Sequence, residues 1–388
     1  MSDLDLLMVK SVPAGGNWKN IPESIPSNRL KQIRRTGGRT TYYGRLKYEM
    51  PSYTISTYFN RPGNGCYMHP DDGNGARKAQ HRLITFREAA RLQSFPDDFK
   101  FYGTKTSMLK QIGNAVPPLL GKAIASCIKE KTFVDLFSGA GGMSIGFCMN
   151  GKKLVGAIEQ DKNACATFRS NHSKGDYVLV EGDITQKNKK EELTSKVRKN
   201  LNGRKLGIIV GGPPCQGFSL AGNRFIDDPR NTLFKEFVDI VASLKPEVFV
   251  MENVPGLLSM KNGTIITKIK QCFEKLGYIV DNPRVLKAEE YGVPQKRRRL
   301  FLIGHLENVP INFPPKQIFS QNEDMALPKV IKVHEAISDL PQIYEGLGQD
   351  EWQLKSWKPE SGYQKLMAGL MSFKEFYNKA KMDSQRII

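Results

Sequence analysis

Between residues 132 and 304 the chain alternates short apolar runs with helical stretches, and this alternation restricts the fold more than any other feature. The apolar runs fall at 132–137, 153–158, 177–180, 206–210, 248–251 and 300–303. Helical periodicity fills several gaps, as at 231–244 and 265–276. Strands built from continuous Val, Ile and Leu need cover on both faces, which intervening helices supply. The expectation is an α/β fold, a doubly wound Rossmann-like sheet, with ligands at the C-terminal ends of its strands.

The flanks read differently. Residues 1–80 are rich in Gly, Pro, Asn and Tyr with a short alternating run at 52–59, which predicts strands and irregular loops and no helix. Thr85 opens an amphipathic segment (Phe86, Ala89, Ala90, Leu92, Phe95) that Pro96 stops, and a second helix is expected at 119–128. Residues 305–388 lose the pattern, apart from one helix near 333–340. The division expected is a catalytic domain over 97–304. A smaller, irregular, β-rich domain is split between 305–388 and 1–96.

Composition excludes several classes. No apolar run approaches the roughly 20 residues that cross a bilayer, and the short acidic start does not resemble a signal peptide, so a cytoplasmic protein is expected. The six cysteines (Cys66, Cys127, Cys148, Cys165, Cys215, Cys272) form no CxxC pair, which argues against a zinc or other metal site and against a disulfide framework. The formal charge of +19 is the outlier. A solvated basic face, as over 186–205, is one reading and a polyanionic partner, nucleic acid above all, is the other; charge alone does not decide between them.

Chemistry concentrates at the strand ends. Gly211-Gly-Pro-Pro-Cys-Gln-Gly-Phe-Ser219 follows the fourth apolar run and puts the Cys215 thiol in a turn stiffened by Pro213 and Pro214. The next run ends in Glu252-Asn-Val254, so neighbouring parallel strands would bring thiol and carboxyl to one edge. That pair suits attack on a heterocycle, with the thiol adding and the acid protonating the ring. A free thiol with pKa near ~8.5 needs a nearby cation, which Gln295-Lys-Arg-Arg-Arg299 offers. Asp135-Leu-Phe-Ser-Gly-Ala-Gly-Gly142 gives a tight turn ahead of a helix N-terminus. Glu159 and Asp183 end the next two strands, where carboxylates can take ribose hydroxyls. The glycine spacing is not the dinucleotide fingerprint, which lowers a hydride-transfer reading.

These stretches, with Gly182-Asp-Ile184 and Gly113-Asn-Ala-Val-Pro117, resemble the motifs of the C5-cytosine-specific DNA methyltransferases over about residues 13–341. Arg82-Leu-Ile-Thr85, Arg87-Glu88 and Phe95-Pro96 look like the same family's motif before its last helix. The resemblance implies an S-adenosylmethionine-dependent methyltransferase sheet with a smaller target-recognition domain, acting on double-stranded DNA. Cys215 would attack C6 of a flipped-out cytosine while Glu252 engages N3, and C5 would take the methyl group. Arg297 and Arg299 would hold the cytosine O2, the backbone or the active-site loop. Phe137, Ser138, Gly139, Gly141, Gly142, Glu159, Asp183, Ile184, Pro214, Leu233, Asn114 and Ala115 would line the cofactor pocket. Asn253 would orient the loop, and 216–230 would close over the DNA.

Motif order departs from the usual one, because the GNAVP stretch precedes the cofactor strand and runs into it through a short joint. This looks like a circular permutation, with Met1 and Ile388 expected close together in the small domain. The region that reads DNA would then be split. Glu335-Ala-Ile-Ser-Asp-Leu-Pro341, Tyr363-Gln364 and Gly15-Gly-Asn-Trp18 resemble its framework. Either a compact reader forms where the termini meet, or a second chain completes it. The leading expectation is the modification enzyme of a restriction–modification system, with a cognate endonuclease as partner. An RNA (tRNA) cytosine-C5 methyltransferase and a non-catalytic DNA-binding module are the alternatives.

Overall fold

The computed structural model describes residues 1–73, 78–173, 175–214, 232–322, 326–343 and 357–385. Ile388, whose proximity to Met1 the permutation predicts, lies outside them.

Two helices, α1 (Asp3–Lys10) and α2 (Asn28–Thr36), stand in the N-terminal region where composition predicts none. Local capping explains them. Ser2 and Asp5 form a reciprocal capping box on α1. On α2, Ser27 Oγ accepts from Leu30 N at 3.2 Å, and Gly37, at φ +69°, ends the helix in the left-handed region. Each helix buries two apolar residues, Met8 and Val9 or Leu30 and Ile33, in a small core with Trp18, Ile21 and Tyr43. Two apolar positions are too few to register as a period. The strands β1 (Gly44–Arg45), β2 (Ser52–Tyr53) and β3 (Cys66–Met68) follow, β1 pairing in parallel with β3.

Helices α3 (Phe86–Leu92), α4 (Lys105–Asn114) and α5 (Pro118–Ser126) lead into the sheet. Its first five strands and their helices run β4 (Thr132–Leu136), α6 (Gly142–Met149), β5 (Lys153–Glu159), α7 (Lys162–Asn171), β6 (Val178–Glu181), α8 (Lys187–Leu201), β7 (Ile208–Gly211), α9 (Thr232–Leu244) and β8 (Val248–Asn253). Then come α10 (Thr264–Glu274), β9 (Ile279–Val280), β10 (Arg284–Lys287), β11 (Gln295–Lys296) and β12 (Arg298–His305). The sheet order is β10-β12-β8-β7-β4-β5-β6, with β9 also pairing β12; β11 instead pairs β2. Strands β6, β5, β4, β7 and β8 are parallel, and β12 runs antiparallel to β8.

The alternation along each strand shows why the sheet is covered twice. Phe133, Ile208, Val210, Val248 and Val250 face one core with Leu120 and Ile124 of α5 and Phe147 of α6. Val134, Leu136, Ile209, Phe249 and Met251 face the other, under Val197 of α8, Phe237 of α9 and Phe273 of α10. The doubly wound α/β expectation holds, with strand ends moved by one or two residues.

Beyond the sheet the sequence predicts one helix, and the described residues hold three: α11 (Val333–Ile337), α12 (Gly362–Met367) and α13 (Phe373–Gln385). A capping box between Ser361 and Gln364 starts α12, and Tyr363, Met367 and Phe376 tie α12 and α13 to the first core. The chain's two flanks meet at Arg91 of α3, which is fully buried. Its Nη1 donates to Ala336 O at 2.8 Å and pairs with Asp339 Oδ1 at 2.9 Å.

Helices α5 and α6 touch through glycine. A Cβ on Gly146 would collide with the Pro118 carbonyl and lie 2.7 Å from Lys122 N. Gly146→Val should therefore cost roughly 1–3 kcal/mol as overpacking, read as a lower denaturation midpoint with an unchanged slope.

Candidate active site

Strand β4 lies inside the sheet, and the chain moves outward from it through β5 and β6 before returning to β7 on its other side. Strand order reverses between β4 and β7, which opens a crevice at their C-terminal ends. Both predicted motifs emerge there.

On the β4 side the turn is tightly made. Phe137 takes φ +59°, Gly139 +54° and Gly141 +91°. The two glycines next in line are required by contact. A Cβ on Gly141 would sit 2.6 Å from the His172 ring, and one on Gly142 would sit 2.5 Å from Val116 O and 3.2 Å from the Ala115 side chain. Gly139 differs, since a Cβ there meets nothing within 4 Å and its face is open. The Glu159 carboxylate braces the turn: Oε2 accepts Gly139 N at 2.9 Å, and Oε1 accepts Gln160 N and Asp161 N at 2.9 and 2.8 Å. Gly182 N donates to Glu159 O at 2.9 Å, bringing Asp183 and the buried Ile184 beside it. Ala115 thus touches the turn directly, with the exposed Asn114 preceding it. Phe137 and Leu233, both partly buried, pack against the second core. The Ser138 hydroxyl is buried within the turn and has no hydrogen-bond partner in the structure. Helix α6 begins at Gly142 with no side-chain cap on its first N–H groups.

On the β7 side, β7 presses against β4, because a Cβ on Gly211 would lie 2.5 Å from Leu136 O. One residue on, a Cβ on Gly212 would lie 2.7 Å from Glu252 Oε2, so the turn and the acid are in contact. The Asn253 amide is buried and donates to Pro213 O at 3.0 Å, while its own Oδ1 accepts Val254 N at 2.9 Å. That clamp holds the turn whose next residues are Pro214 and Cys215. The nucleophile candidate Cys215 and the 216–230 segment expected to close lie outside the described residues.

Glu252 is largely buried and pairs with Arg299, Nε to Oε1 at 2.8 Å. Burial pushes its carboxyl above the usual range, and the Arg299 and Arg297 cations oppose the shift without cancelling it. Burial thus favours the protonated carboxyl, and Arg299 is in place to stabilise the carboxylate.

Arg297 is turned into the protein. It has no solvent exposure and spends Nη1 on Ile55 O at 3.0 Å and Nη2 on Gly113 O at 2.7 Å. Of the three tasks expected of it, holding protein backbone is the one its surroundings match, and it offers no exposed atom to a base. Sequence reading missed Ser144, whose Oγ donates to the buried Asp135 at 2.6 Å. Their spacing across a strand–turn–helix junction gives no periodic signal.

The family model of the C-5 cytosine-specific DNA methylases matches residues 10–130 and 131–375, and the chain belongs to that family. Within it, the chain is similar to the Type II methyltransferase M1.HphI of Haemophilus parahaemolyticus, 38% identical over 230 residues that cover 58% of this chain and 57% of that protein. It is 40% identical over 237 residues to M.DdeI of Desulfomicrobium norvegicum, covering 60% of this chain and 54% of that one. With M.AquIA of a Picosynechococcus strain the identity is 38% over 231 residues, 55% of this chain and 90% of that protein. The chain thus spans little more than half the length of M1.HphI and M.DdeI. Among the described residues no helix is long and apolar enough to cross a membrane.

Burial raises the Asp135 carboxyl to about 7, with the Ser144 hydrogen bond opposing. A raised folded-state pKa means the native state binds the extra proton, so this group's stabilisation is complete below about pH 4 and lost as pH rises through about 7. Asp135→Asn should flatten that loss: relative to the parent, the variant should be more stable at pH 8 than at pH 4 in paired denaturant titrations.

Proposed function

We propose that this chain is a DNA (cytosine-5-)-methyltransferase. It transfers a methyl group from S-adenosylmethionine to C5 of a flipped-out cytosine in a specific duplex site, as the modification enzyme of a restriction–modification system. The observation that carries this reading is the acid Glu252, held by Arg299 against the glycine–proline turn that leads into Cys215.

The residues around the first turn fit the cofactor. The unpartnered Ser138 hydroxyl and the uncapped N–H groups of α6 suit the carboxylate of an amino-acid moiety, and the open face at Gly139 gives room for close approach. Glu159 and Asp183 stand at consecutive strand ends, where ribose hydroxyls are held. Asn114, Ala115, Phe137, Gly141, Gly142, Ile184, Pro214 and Leu233 complete the pocket. When bound, S-adenosylmethionine supplies an electrophilic methyl group.

The chain's own residues do the rest. The Cys215 thiolate adds to C6 of cytosine, and Glu252 gives its proton to N3, so that electron density moves to C5. After C5 has taken the methyl, with S-adenosylhomocysteine released, water accepts the C5 proton, the Cys215 thiolate is expelled and N3 returns its proton to Glu252, which restores the ring. Arg299 stabilises the Glu252 carboxylate once the proton has gone. A stacked base cannot reach Cys215, so it must be flipped at a cost of a few kcal/mol. Phosphate contacts from a chain of net charge +19 offset that cost and make binding salt-sensitive.

The motif order and a family match in two runs that join at 130/131 support a circularly permuted member. In this reading 97–304 is the catalytic domain, and 305–388 with 1–96 forms the target-recognition domain, alone or with a second chain. A cytoplasmic location and a cognate endonuclease go with the same reading.

Labelled methyl transfer to mixed-sequence duplex DNA, with transfer RNA alongside, tests it. Label should appear as 5-methylcytosine in DNA, and Cys215→Ser should abolish it while still binding cofactor. Glu252→Gln should lower kcat by about 10²- to 10⁴-fold, the usual contribution of a positioned acid. Label on RNA alone, or none on DNA from the intact chain, overturns the proposal.

A further inference from the structure

Beneath the catalytic edge, segments far apart in sequence are joined by two side chains with no solvent exposure, Gln295 and Arg297. They stand two residues apart and grip the same residue of the 52–57 arm. Gln295 Oε1 accepts Ile55 N at 2.9 Å, and Arg297 Nη1 donates to Ile55 O at 3.0 Å. Each also reaches elsewhere. Gln295 Nε2 donates to Leu92 O at 3.1 Å and to Gln93 Oε1 at 2.9 Å, whereas Arg297 Nη2 donates to Gly113 O at 2.7 Å.

Gly113 is where the arm and the end of α4 touch. A Cβ there would lie 2.5 Å from the Ser56 carbonyl and 2.6 Å from Thr57 N, so the arm's backbone lies flat on this residue. Continuing along the chain, Ala115 and Val116 rest on Gly142, the first residue of the helix that follows the cofactor turn. In the other direction, Arg299 comes two residues after Arg297 and holds Glu252. A continuous set of contacts therefore runs from the cofactor turn, through Gly113 and Arg297, to the acid and to the arm.

Arg297 is an expensive way to build such a joint. Both its bonded partners are carbonyls, and its Nε is buried with no partner. A buried cation without a bonded carboxylate costs stability that an apolar side chain of similar volume would not. What the guanidinium offers is a rigid planar fork able to hold two carbonyls from different segments at a fixed separation.

We propose that Arg297 is a positioning residue that couples the two ligand sites, so that cofactor binding and the seating of the target base at the Glu252 edge are mutually dependent. This rests on the proposed function for the identity of the two ligands. Coupling of this kind is reciprocal and appears as a change in one ligand's affinity when the other is present.

The experiment measures the dissociation constant of S-adenosylhomocysteine for the full chain by calorimetry, with and without mixed-sequence duplex DNA. DNA should tighten binding in the parent. Arg297→Lys keeps the charge and loses the fork; it should bring the ratio of the two constants about tenfold closer to one, with the pH dependence of kcat unmoved. Arg297→Met should lose the coupling as well and also move the alkaline limb of that profile, where protonated Glu252 is lost, to higher pH, because Glu252 loses a neighbouring cation. Gly113→Ala pushes on the same joint from the other side. It should lose the coupling without further loss in the double variant, and it carries the test by itself if the Arg297 variants do not fold. A parent with no coupling, or folded variants that retain the parent's ratio, overturns the inference. Methyl transfer to DNA by the parent is scored separately, so failure of the coupling is distinguishable from failure of the functional reading.

Discussion

The parallel pairing of β4 with β7, from Phe133↔Ile208 to Leu136↔Gly211, is the constraint on which the rest of the site depends. These strands are not consecutive in the chain; two helix-connected strands intervene before β7 returns beside β4. The helices on either side of that pair leave to opposite faces, which places a crevice at the strand ends between them. The glycines at this edge follow from the same closeness. Gly211 must clear the Leu136 carbonyl, and Gly142 must clear Val116. Larger residues would separate the strands and helices that bring the cofactor turn and the proline turn to one crevice.

Electrostatics at the edge is arranged by burial as much as by pairing. Glu252 and Asp135 are both pushed toward the protonated form by loss of water, yet they differ in what faces them. Glu252 has Arg299 in contact and Arg297 behind it, so its charge can be accommodated when a proton leaves. Asp135 accepts the Ser144 hydroxyl at 2.6 Å, a bond that ties α6 to the strand beneath the turn. Glu159 sits in a third environment: three backbone N–H groups satisfy its oxygens and make it a brace for the glycine turn. Three carboxylates at one end of one sheet thus hold three different tasks, set by their neighbours.

What could be read in advance followed from periodicity and from residue types that have few other uses. Six strands of the 132–304 region, β4 to β8 and β12, were legible because their Val and Ile runs are long and their turns carry Gly and Pro, whereas the short β9, β10 and β11 were not. Glu252-Asn253 and the Pro213-Pro214 turn were legible as a pair through their positions after two such runs. Helices α1, α2, α12 and α13 were not. The first two bury only Met8 and Val9, or Leu30 and Ile33, and α12 depends on the capping pair Ser361 and Gln364. The enclosure of Arg297 was not legible, because a basic run reads as exposed while this member of it has no solvent exposure.

The sequence by itself determined the sheet, the turn chemistry and the family, since strand period, glycine placement and motif spacing are local properties of the chain. Tertiary structure decided which groups share a site. The reversal of strand order brings β4 and β7 together, so that the Gly212–Glu252 contact of the β7–β8 pair and the Gly139–Glu159 contact of the β4–β5 pair lie at one edge. It also decided that Arg299 faces the acid while Arg297, two residues earlier, is turned into the protein to hold Ile55 and Gly113. The physical reason is that burial and pairing depend on segments separated by tens to hundreds of residues, whose approach no local pattern encodes.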